Sequence, residues 1–503
     1  MAFIRWRNLL EGMTMRRALL EPVILLYMIS IWMQFNLFQT LIYRKVCLKL
    51  YSNESFCADL LRNESAHKAE AAVAHETASS LLFYSNLCLT IPSILLLPFL
   101  GTWGDKFGRK FPAILPAVGA LLSAVNYAIC SGISSTPVEL LLLSNFFQGI
   151  TGGFTGCIMA VSSWASHISS LKVRTSRLGC LEFANLLGTS IAPAIGGAIA
   201  SATYGGYPLA FALAGSLNII LTLYVIFFLQ EPERQHEHKG GIRQNCRTMW
   251  SLEFLKDMYG LLRWIYIEQR ARLCIVVAAF ALMCTWTLST GTNEIRYLYI
   301  RTLNLNWETL EYNLFSAEDA FIRGLTLITV LPLLKMLFHV RDFIIIVLGF
   351  ISKIAMFIIY ATSVNSVMIF LAVVAGFLAA AVSACGRSIC SRNIHRDDQG
   401  KLFGILGILE NLSSLLGSLI FQNVYTATRE WYPGFSYALA AGLLVIPGSV
   451  IMFCYRTLRE YDARAENEHS ALIDEEQFVD DPVSAASVED LDFEPSRTAS
   501  VTV

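Results

Sequence analysis

The sequence predicts an all-α membrane protein of about twelve transmembrane helices, arranged as two six-helix bundles. Its 503 residues are 55% hydrophobic and only 15% charged, and the mean hydropathy is +0.52. Because soluble domains carry about 25% charged residues, a chain this apolar has too little polar surface for water. The formal net charge of −1 gives no electrostatic basis for a nucleic-acid partner, so we expect none.

Long apolar runs carry the prediction of the spans. A helix needs about 20 apolar residues to cross a hydrocarbon core of about 30 Å, and it satisfies its own backbone hydrogen bonds there. The run 316–337 fits least well, because it contains Glu318, Asp319 and Arg323. The twelve runs are 19–42, 79–101, 112–131, 138–160, 178–201, 207–229, 273–293, 316–337, 342–361, 366–386, 402–425 and 434–455.

A polar segment in the middle of the chain separates two sets of spans. Residues 230–272 lie between an N-terminal bundle at 19–229 and a C-terminal bundle at 273–455. Transporters built from repeated bundles around a central cavity have this organisation. We expect residues 1–18 to form a short cytoplasmic N-terminus, 230–272 a cytoplasmic linker, and the acidic, Ser-rich residues 456–503 a disordered cytoplasmic tail.

The first loop is predicted to lie outside the cytoplasm. Lys and Arg concentrate in the loops on the side of both termini, which places the lipid-spanning chain with its termini in the cytoplasm and the loop 44–78 outside. That loop contains two N-glycosylation sequons, at Asn53 and Asn63. It also contains Cys47 and Cys57, which could form a disulfide in an oxidising compartment or remain free thiols.

The most specific motif lies between the second and third spans, where residues 101–110 read GTWGDKFGRK. Glycines permit a tight reversal of the chain. Asp105, among the cations Lys106, Arg109 and Lys110, can form a latch that opens and closes, and a carboxylate is favoured at a helix N-terminus. The motif resembles the signature loop of the major facilitator superfamily, although an ordinary cytoplasmic basic loop is the alternative.

Further stretches narrow the resemblance to solute carrier family 46, which includes proton-coupled folate transport. These stretches are Glu21-Pro22, Leu181-Glu182 and the sequence DDQGKLF at 397–403, together with the sequon-bearing loop. The resemblance implies a major facilitator fold and proton-coupled symport. It assigns proton coupling to Glu182, and it matches Arg387 and Glu294 to functional charged positions of the family.

The resemblance does not extend to the substrate. The folate-transporting member has a functional histidine in the seventh span, whereas residues 285–294 here read TWTLSTGTNE. Folate as a substrate is therefore not indicated, while the wider family, with its lysosomal members, remains open.

Ionisable residues within the predicted spans are costly in lipid and indicate function by default. Glu410 and Lys353 are expected near the bilayer midplane, where a substrate or a proton could compete for a pair between them. A static ion pair is the alternative. Simpler explanations also exist for Arg323, which could pair with a carboxylate one turn away, and for Arg387, which could extend to the interface.

Together these features predict a secondary active transporter, a symporter of protons with an organic anion or zwitterion that is folate-like, peptide-like or nucleotide-like. Burial favours the neutral form of a carboxylate, which suits proton binding and release. The alternative is a receptor or scaffold that retains the transporter fold without transporting. The twelve cysteines include no CxxC pair, so we expect no metal or cofactor, and we see no constellation typical of an enzyme.

The tail contains a candidate sorting signal. Glu468, Leu472 and Ile473 fit an acidic dileucine pattern read by coat adaptors, which would direct the protein to endolysosomal membranes rather than the plasma membrane. Short patterns of this kind also arise by chance in acidic sequence.

Replacing Leu472 and Ile473 by Ala should therefore raise the surface-biotinylated fraction several-fold, because the adaptor loses its apolar anchor. The matched control replaces Phe478 and Val479 by Ala, which removes a similar apolar pair from the same tail. An unchanged surface fraction in the first variant would argue against the sorting signal.

Overall fold

The computed structural model describes residues 19–53, 55–57, 60, 68–133, 135–202, 206–231, 253–303 and 309–480. Apart from one short 3-10 turn at Arg396–Asp398, its regular elements are the following α-helices. They are α1 (Glu21–Tyr51), α2 (Lys68–Phe107), α3 (Lys110–Gly132), α4 (Leu140–Gly149), α5 (Gly153–Ile168), α6 (Leu171–Ala202), α7 (Gly206–Phe227), α8 (Glu253–Ile267), α9 (Gln269–Thr302), α10 (Thr309–Ile328), α11 (Val330–Met336), α12 (Asp342–Ala361), α13 (Ser366–Ala375), α14 (Ala381–Arg392), α15 (Gln399–Thr428) and α16 (Phe435–Asp480).

Within the described ranges, nine helices are long and apolar enough to cross a membrane. They are α1, α2, α3, α6, α7, α9, α12, α15 and α16, and they match nine of the predicted runs. The other three predicted runs are each divided between two helices: α4 and α5, α10 and α11, and α13 and α14. The all-α fold with about twelve spans is therefore confirmed, with three of its spans interrupted.

The interruptions follow from glycine and proline. Gly152 and Gly153 have φ values of 92° and 54°, which side chains rarely adopt, and they separate α4 from α5. Pro332 lies at the start of α11, where its missing N–H removes one bond from the helical ladder. α13 ends at Ala375 with Gly376 as its C-cap, and α14 begins at Ala381.

Each half of the chain has its own apolar core. Buried side chains of α1 to α7 form two clusters in the first half. A larger cluster joins α9 through α16 in the second half and includes Leu97 and Leu100 of α2.

The halves meet along four main helix pairs, α2 with α15, α6 with α10, α5 with α15 and α6 with α14. Gly101 and Gly400 allow the first pair its close approach, since a Cβ built on Gly101 would lie 2.3 Å from the carbonyl oxygen of Gly400.

The predicted outer loop contains the one disulfide among the described residues. Cys47 at the end of α1 is bonded to Cys57, with their Cα atoms 5.8 Å apart. Asn53 lies in the enclosed segment, and its Oδ1 accepts hydrogen bonds from Ser55 and Phe56. Asn63 lies outside the described residues, so glycosylation at both asparagines stays a prediction.

The described part of the tail is helical. Residues 456–480 continue α16. Residues 481–503 lie outside the described residues, and the disorder of the tail stays a prediction. The helical segment is rich in Ala, Glu, Leu and Arg, which favour helices, and it contains no Pro before Pro482. The side chains of Glu468, Leu472 and Ile473 lie outside the described part of this helix.

Candidate functional site

A buried arginine lies at the junction of the two halves. Arg387 of α14 donates from Nη1 to Oε2 of Glu182 in α6, at 2.8 Å. From Nη2 it donates to both oxygens of Glu410 in α15, at 3.2 and 3.3 Å. The arginine side chain is 5% exposed and the two carboxylates 16% and 15%. We call Arg387, Glu182 and Glu410 the charge triad.

An aromatic ring completes the surroundings of this arginine. The guanidinium carbon of Arg387 lies 5.4 Å from the ring centroid of Trp286 in α9. Trp286 donates from Nε1 to Ser383, one turn before Arg387 in α14. An arginine against an aromatic face gains further electrostatic stabilisation. Helices α6, α9, α14 and α15 therefore converge on a single cation.

The triad has a simple charge balance. One guanidinium faces two carboxylates, so the cluster is negative by one charge when all three groups are ionised, and protonation of either carboxylate makes it neutral. A buried charge without a partner costs several kcal/mol. Two acceptors allow Arg387 to lose one carboxylate and still keep the other.

The observed contacts of these residues differ from the simpler interpretations of each residue taken alone. Arg387 is buried and paired, so it does not extend to the interface. Arg177, five residues before Glu182 on α6, pairs with Glu21 at 3.1 Å. Glu410 faces Arg387 rather than Lys353. The sequence indicates each residue as a candidate, but it does not reveal this pairing.

Lys353 lies in a second polar cluster within the C-terminal half. Its ammonium group donates to the carbonyl oxygen of Thr285, at 3.2 Å, and to the hydroxyl of Ser289. Arg323 pairs with Asp319 one helical turn earlier. This contact is the simpler explanation that the sequence offers for Arg323. Arg296, which the sequence analysis does not select, pairs with the same carboxylate at 2.8 Å.

Glu294 lies apart from the charge triad. It is exposed on α9, and one of its oxygens accepts a 2.6 Å hydrogen bond from Ser418 of α15.

The signature loop connects the two halves through one carboxylate. Asp105 accepts hydrogen bonds from the backbone N–H groups of Gly400 and Lys401, at 2.8 and 2.9 Å, at the N-terminus of α15. Arg109 pairs with Asp105 at 3.1 Å. Unpaired N–H groups and the helix dipole both favour an anion at this position. Lys106 pairs with Asp257 of α8, and Lys110 donates to the carbonyl oxygen of Ile226.

The corresponding loop of the second half contains a contact that sequence reasoning missed. Asp342, at the start of α12, is fully buried, pairs with Lys335 and Arg392, and accepts a 3.0 Å hydrogen bond from Thr175 of α6. Arg174 adds a 3.0 Å bond to the carbonyl oxygen of Ser391. The available signal was a carboxylate directly after Arg341, seven residues beyond Lys335, at the beginning of an apolar run.

These contacts between the halves lie at one end of the bundle, which we call the signature-loop end. A sequence model of the Major Facilitator Superfamily matches residues 22–318, more than half of the 503-residue chain. The chain belongs to the major facilitator superfamily. It is a membrane transporter rather than an enzyme, as the match and its curated relatives both indicate.

The curated relatives of this transporter confirm the resemblance to solute carrier family 46. The lysosomal proton-coupled steroid conjugate and bile acid symporter SLC46A3 of Gallus gallus is 26% identical, over 87% of this chain and 94% of the relative. The proton-coupled folate transporter of Rattus norvegicus is 25% identical, over 88% of this chain and 93% of the relative.

Solved structures confirm the fold of the transporter. The human organic anion transporter MFSD10 superposes with a TM-score of 0.63 at 17% identity, covering 86% of this chain and 98% of that one. The proton:xylose symporter XylE superposes with a TM-score of 0.56 at 15% identity, covering 86% of this chain and 96% of that one.

The Asp105 contact generates a testable expectation. Asp105→Asn should weaken the closure of the signature-loop end, because charge-assisted hydrogen bonds contribute about 1.5–3 kcal/mol. A cysteine introduced at the exposed position Asn293 should then react several-fold more slowly with a membrane-impermeant maleimide applied from the opposite end.

The control for this experiment is Asp257→Asn, which removes a carboxylate that binds Lys106 but not the N-terminus of α15. Labelling should stay near the parent rate in this variant. Equal labelling in the parent and in Asp105→Asn would show that Asp105 does not hold this end closed.

Proposed function

We propose that the protein is a proton-coupled symporter that moves an organic anion by alternating access, with the charge triad as its coupling site. The observation that carries this proposal is the position of Arg387, which pairs with one carboxylate from each half of the molecule. A change in protonation at this point acts on the contact between the halves.

The two carboxylates have different roles in this mechanism. Glu182 belongs to the N-terminal half, and its ion pair with Arg387 therefore holds the halves together. Glu410 belongs to the same half as Arg387 and can balance its charge in every conformation. When Glu182 takes up a proton, this contact between the halves weakens, and Arg387 still keeps one counter-charge.

Substrate binding follows from the same charge balance. With one carboxylate protonated, the triad is neutral, and an organic anion gains a guanidinium partner without facing a net negative charge. A guanidinium binds carboxylates and related oxyanions through two parallel hydrogen bonds. Protonation thus removes the negative charge that would repel the anion. Proton binding and anion binding are linked in this way, as symport requires.

The two latches supply the conformational change. Asp105 on the α15 N-terminus, and Asp342 with Thr175, close the signature-loop end in this structure. The exposed side chain of Asn293 on α9 fits a cavity open toward the other end. We take this to be the outward-facing state, with the loop 44–78 outside and both termini in the cytoplasm. Proton and substrate binding then favour the opposite state.

The substrate class is supported by charge and by similarity. The curated relatives include symporters named for bile acids, steroid conjugates and folate, and the fold neighbour MFSD10 is named as an organic anion transporter. Bile acids, folates, acidic peptides and cyclic dinucleotides all bring an anionic group to Arg387. The membrane is endolysosomal if the Leu472-Ile473 signal operates, and otherwise the plasma membrane.

The coupling proposal is tested by neutralising each carboxylate in the full chain. Proteoliposomes are loaded at neutral pH, placed in a medium one pH unit more acidic, and assayed for uptake of labelled cholate and folate. At one proton per substrate this gradient supports about tenfold accumulation. Glu182→Gln and Glu410→Gln should each reduce accumulation toward the level without a gradient, while exchange of labelled for unlabelled substrate continues.

The matched control is Glu430→Gln, which neutralises an exposed carboxylate in the loop before α16. It should retain the full pH-driven accumulation. If both triad variants still concentrate substrate as the parent does, the triad is not the coupling site. If no parent uptake responds to pH with any anion, the symport proposal itself is wrong.

A further inference from the structure

Helix α8 lies at the signature-loop end, in the segment that joins the two halves, and one of its sides packs on the bundle. That side is formed by three buried residues at helical spacing, Met258, Leu261 and Ile265. Next to them, Asp257 binds Lys106 of the signature loop. The ring centroid of Trp264 lies 6.0 Å from that of His395, which precedes α15. Both partners belong to loops at this end, so α8 lies across the end of the bundle and not beyond it.

The directions of the other sides of α8 follow from these contacts. Successive residues of an α-helix are turned by about 100°, so the direction of each side chain can be counted from the buried side. Asp257 and Trp264 point toward the place where α2 meets α15, about a quarter turn from the buried side. The opposite side therefore points away from the protein. It contains three exposed side chains, which we call the apolar face, Tyr259, Leu262 and Tyr266.

Cations flank the apolar face. Lys256 and Arg263, two helical turns apart, are both exposed on the side of α8 farthest from the bundle, and we call them the basic edge. Within the described part of the chain, neither has a carboxylate partner. Arg272, near the start of α9, has its guanidinium carbon 5.3 Å from the ring centroid of Tyr266 and donates to the carbonyl oxygen of that residue at 3.0 Å. The cations and the aromatic rings thus share one surface.

This surface keeps a net positive charge. Residues 253–272 contain four Lys and Arg residues and three carboxylates. One of the carboxylates, that of Asp257, is paired with Lys106, which lies outside the segment. The segment and Lys106 together therefore carry two positive charges in excess. A charge of this sign attracts anions to the exposed side of α8.

The connection to α9 places this surface beside the lipid. α8 ends at Ile267, which is 68% exposed, and the apolar span within α9 begins at Ala271, about 6 Å further along a helix. Tyr rings are enriched at the boundary between lipid and water, and amphipathic helices with Lys and Arg lie in the plane of this boundary. The linker 230–272 is predicted to be cytoplasmic, and the cytoplasmic leaflet is the one that contains anionic lipids.

We propose that α8 binds anionic phospholipids of the cytoplasmic leaflet, with its apolar face among the headgroups and its basic edge against the phosphates. A lipid surface supplies an apolar boundary and negative charge side by side, which matches the arrangement of the two groups on the helix. Arg272 adds a guanidinium that can bind a phosphate through two hydrogen bonds. The lipid also anchors a helix that contacts the signature loop through Lys106, next to Asp105.

The first measurement is local to α8 and needs no transport. The full-length protein is placed in nanodiscs of phosphatidylcholine, with or without phosphatidylserine, and deuterium exchange of the backbone amides is followed by mass spectrometry. Phosphatidylserine should slow exchange in α8 at least about fivefold, the contribution of one cation near an anionic leaflet, because a bound segment opens less often. High salt should reduce this slowing, since it screens the exposed charges.

Variants separate the charged and the apolar contributions. Lys256→Gln/Arg263→Gln should lose the slowing by phosphatidylserine, while its exchange in phosphatidylcholine alone stays at the wild-type rate. Both positions are exposed, so exchange in α3 and α12 should be unchanged and verifies that the variant is folded. The matched control is Arg456→Gln/Arg459→Gln, which removes two exposed cations from the predicted cytoplasmic tail and should keep the response. Leu262→Gln removes part of the apolar face and should speed exchange of α8 in both lipids.

The proposal is overturned if phosphatidylserine does not slow exchange in α8 of the wild type, or if it slows the wild type and the basic-edge variant equally. Slowing by dissolved phosphate in nanodiscs of phosphatidylcholine would also overturn it, because a free ion would then suffice. If α8 is protected in native membranes but not in nanodiscs that contain phosphatidylserine, the apolar face binds a protein and not lipid. Both leaflets of the nanodisc contain the anionic lipid, so the outcome depends neither on the predicted topology nor on the proposed transport mechanism.

Discussion

An arginine inside a membrane protein must keep a counter-charge in every conformation that the protein visits. Arg387 meets this requirement with two carboxylates, Glu182 from the opposite half and Glu410 from its own. The two contacts differ in what they connect. In the proposed mechanism, the contact with Glu182 breaks when the halves separate and the contact with Glu410 remains, so no unpaired charge is exposed to low dielectric.

The carboxylates at the signature-loop end also have polar partners. Asp105 uses the backbone N–H groups at the start of α15, and Asp342 uses the hydroxyl of Thr175 together with Lys335 and Arg392. Both contacts cross between the halves through polar groups of the backbone or of short side chains. Gly101 and Gly400 bring the helices close enough for the first contact to form. Hydrogen bonds of this type can break and be replaced by water when the end opens.

The sequence by itself determined the membrane class, the twelve apolar runs and the loop at 101–110, because hydrophobic length and glycine spacing are local properties. It also selected Glu410 and Lys353 as unusual, because the cost of a charge in lipid depends on its position along an apolar run. Glu182 and Arg387 were selected by the resemblance to solute carrier family 46. The tertiary structure decided which charged side chains pair with each other, because α6, α9, α14 and α15 converge from both halves. The same is true of Asp342, Arg296 and the interrupted spans, whose roles depend on packing between distant helices that no local pattern records.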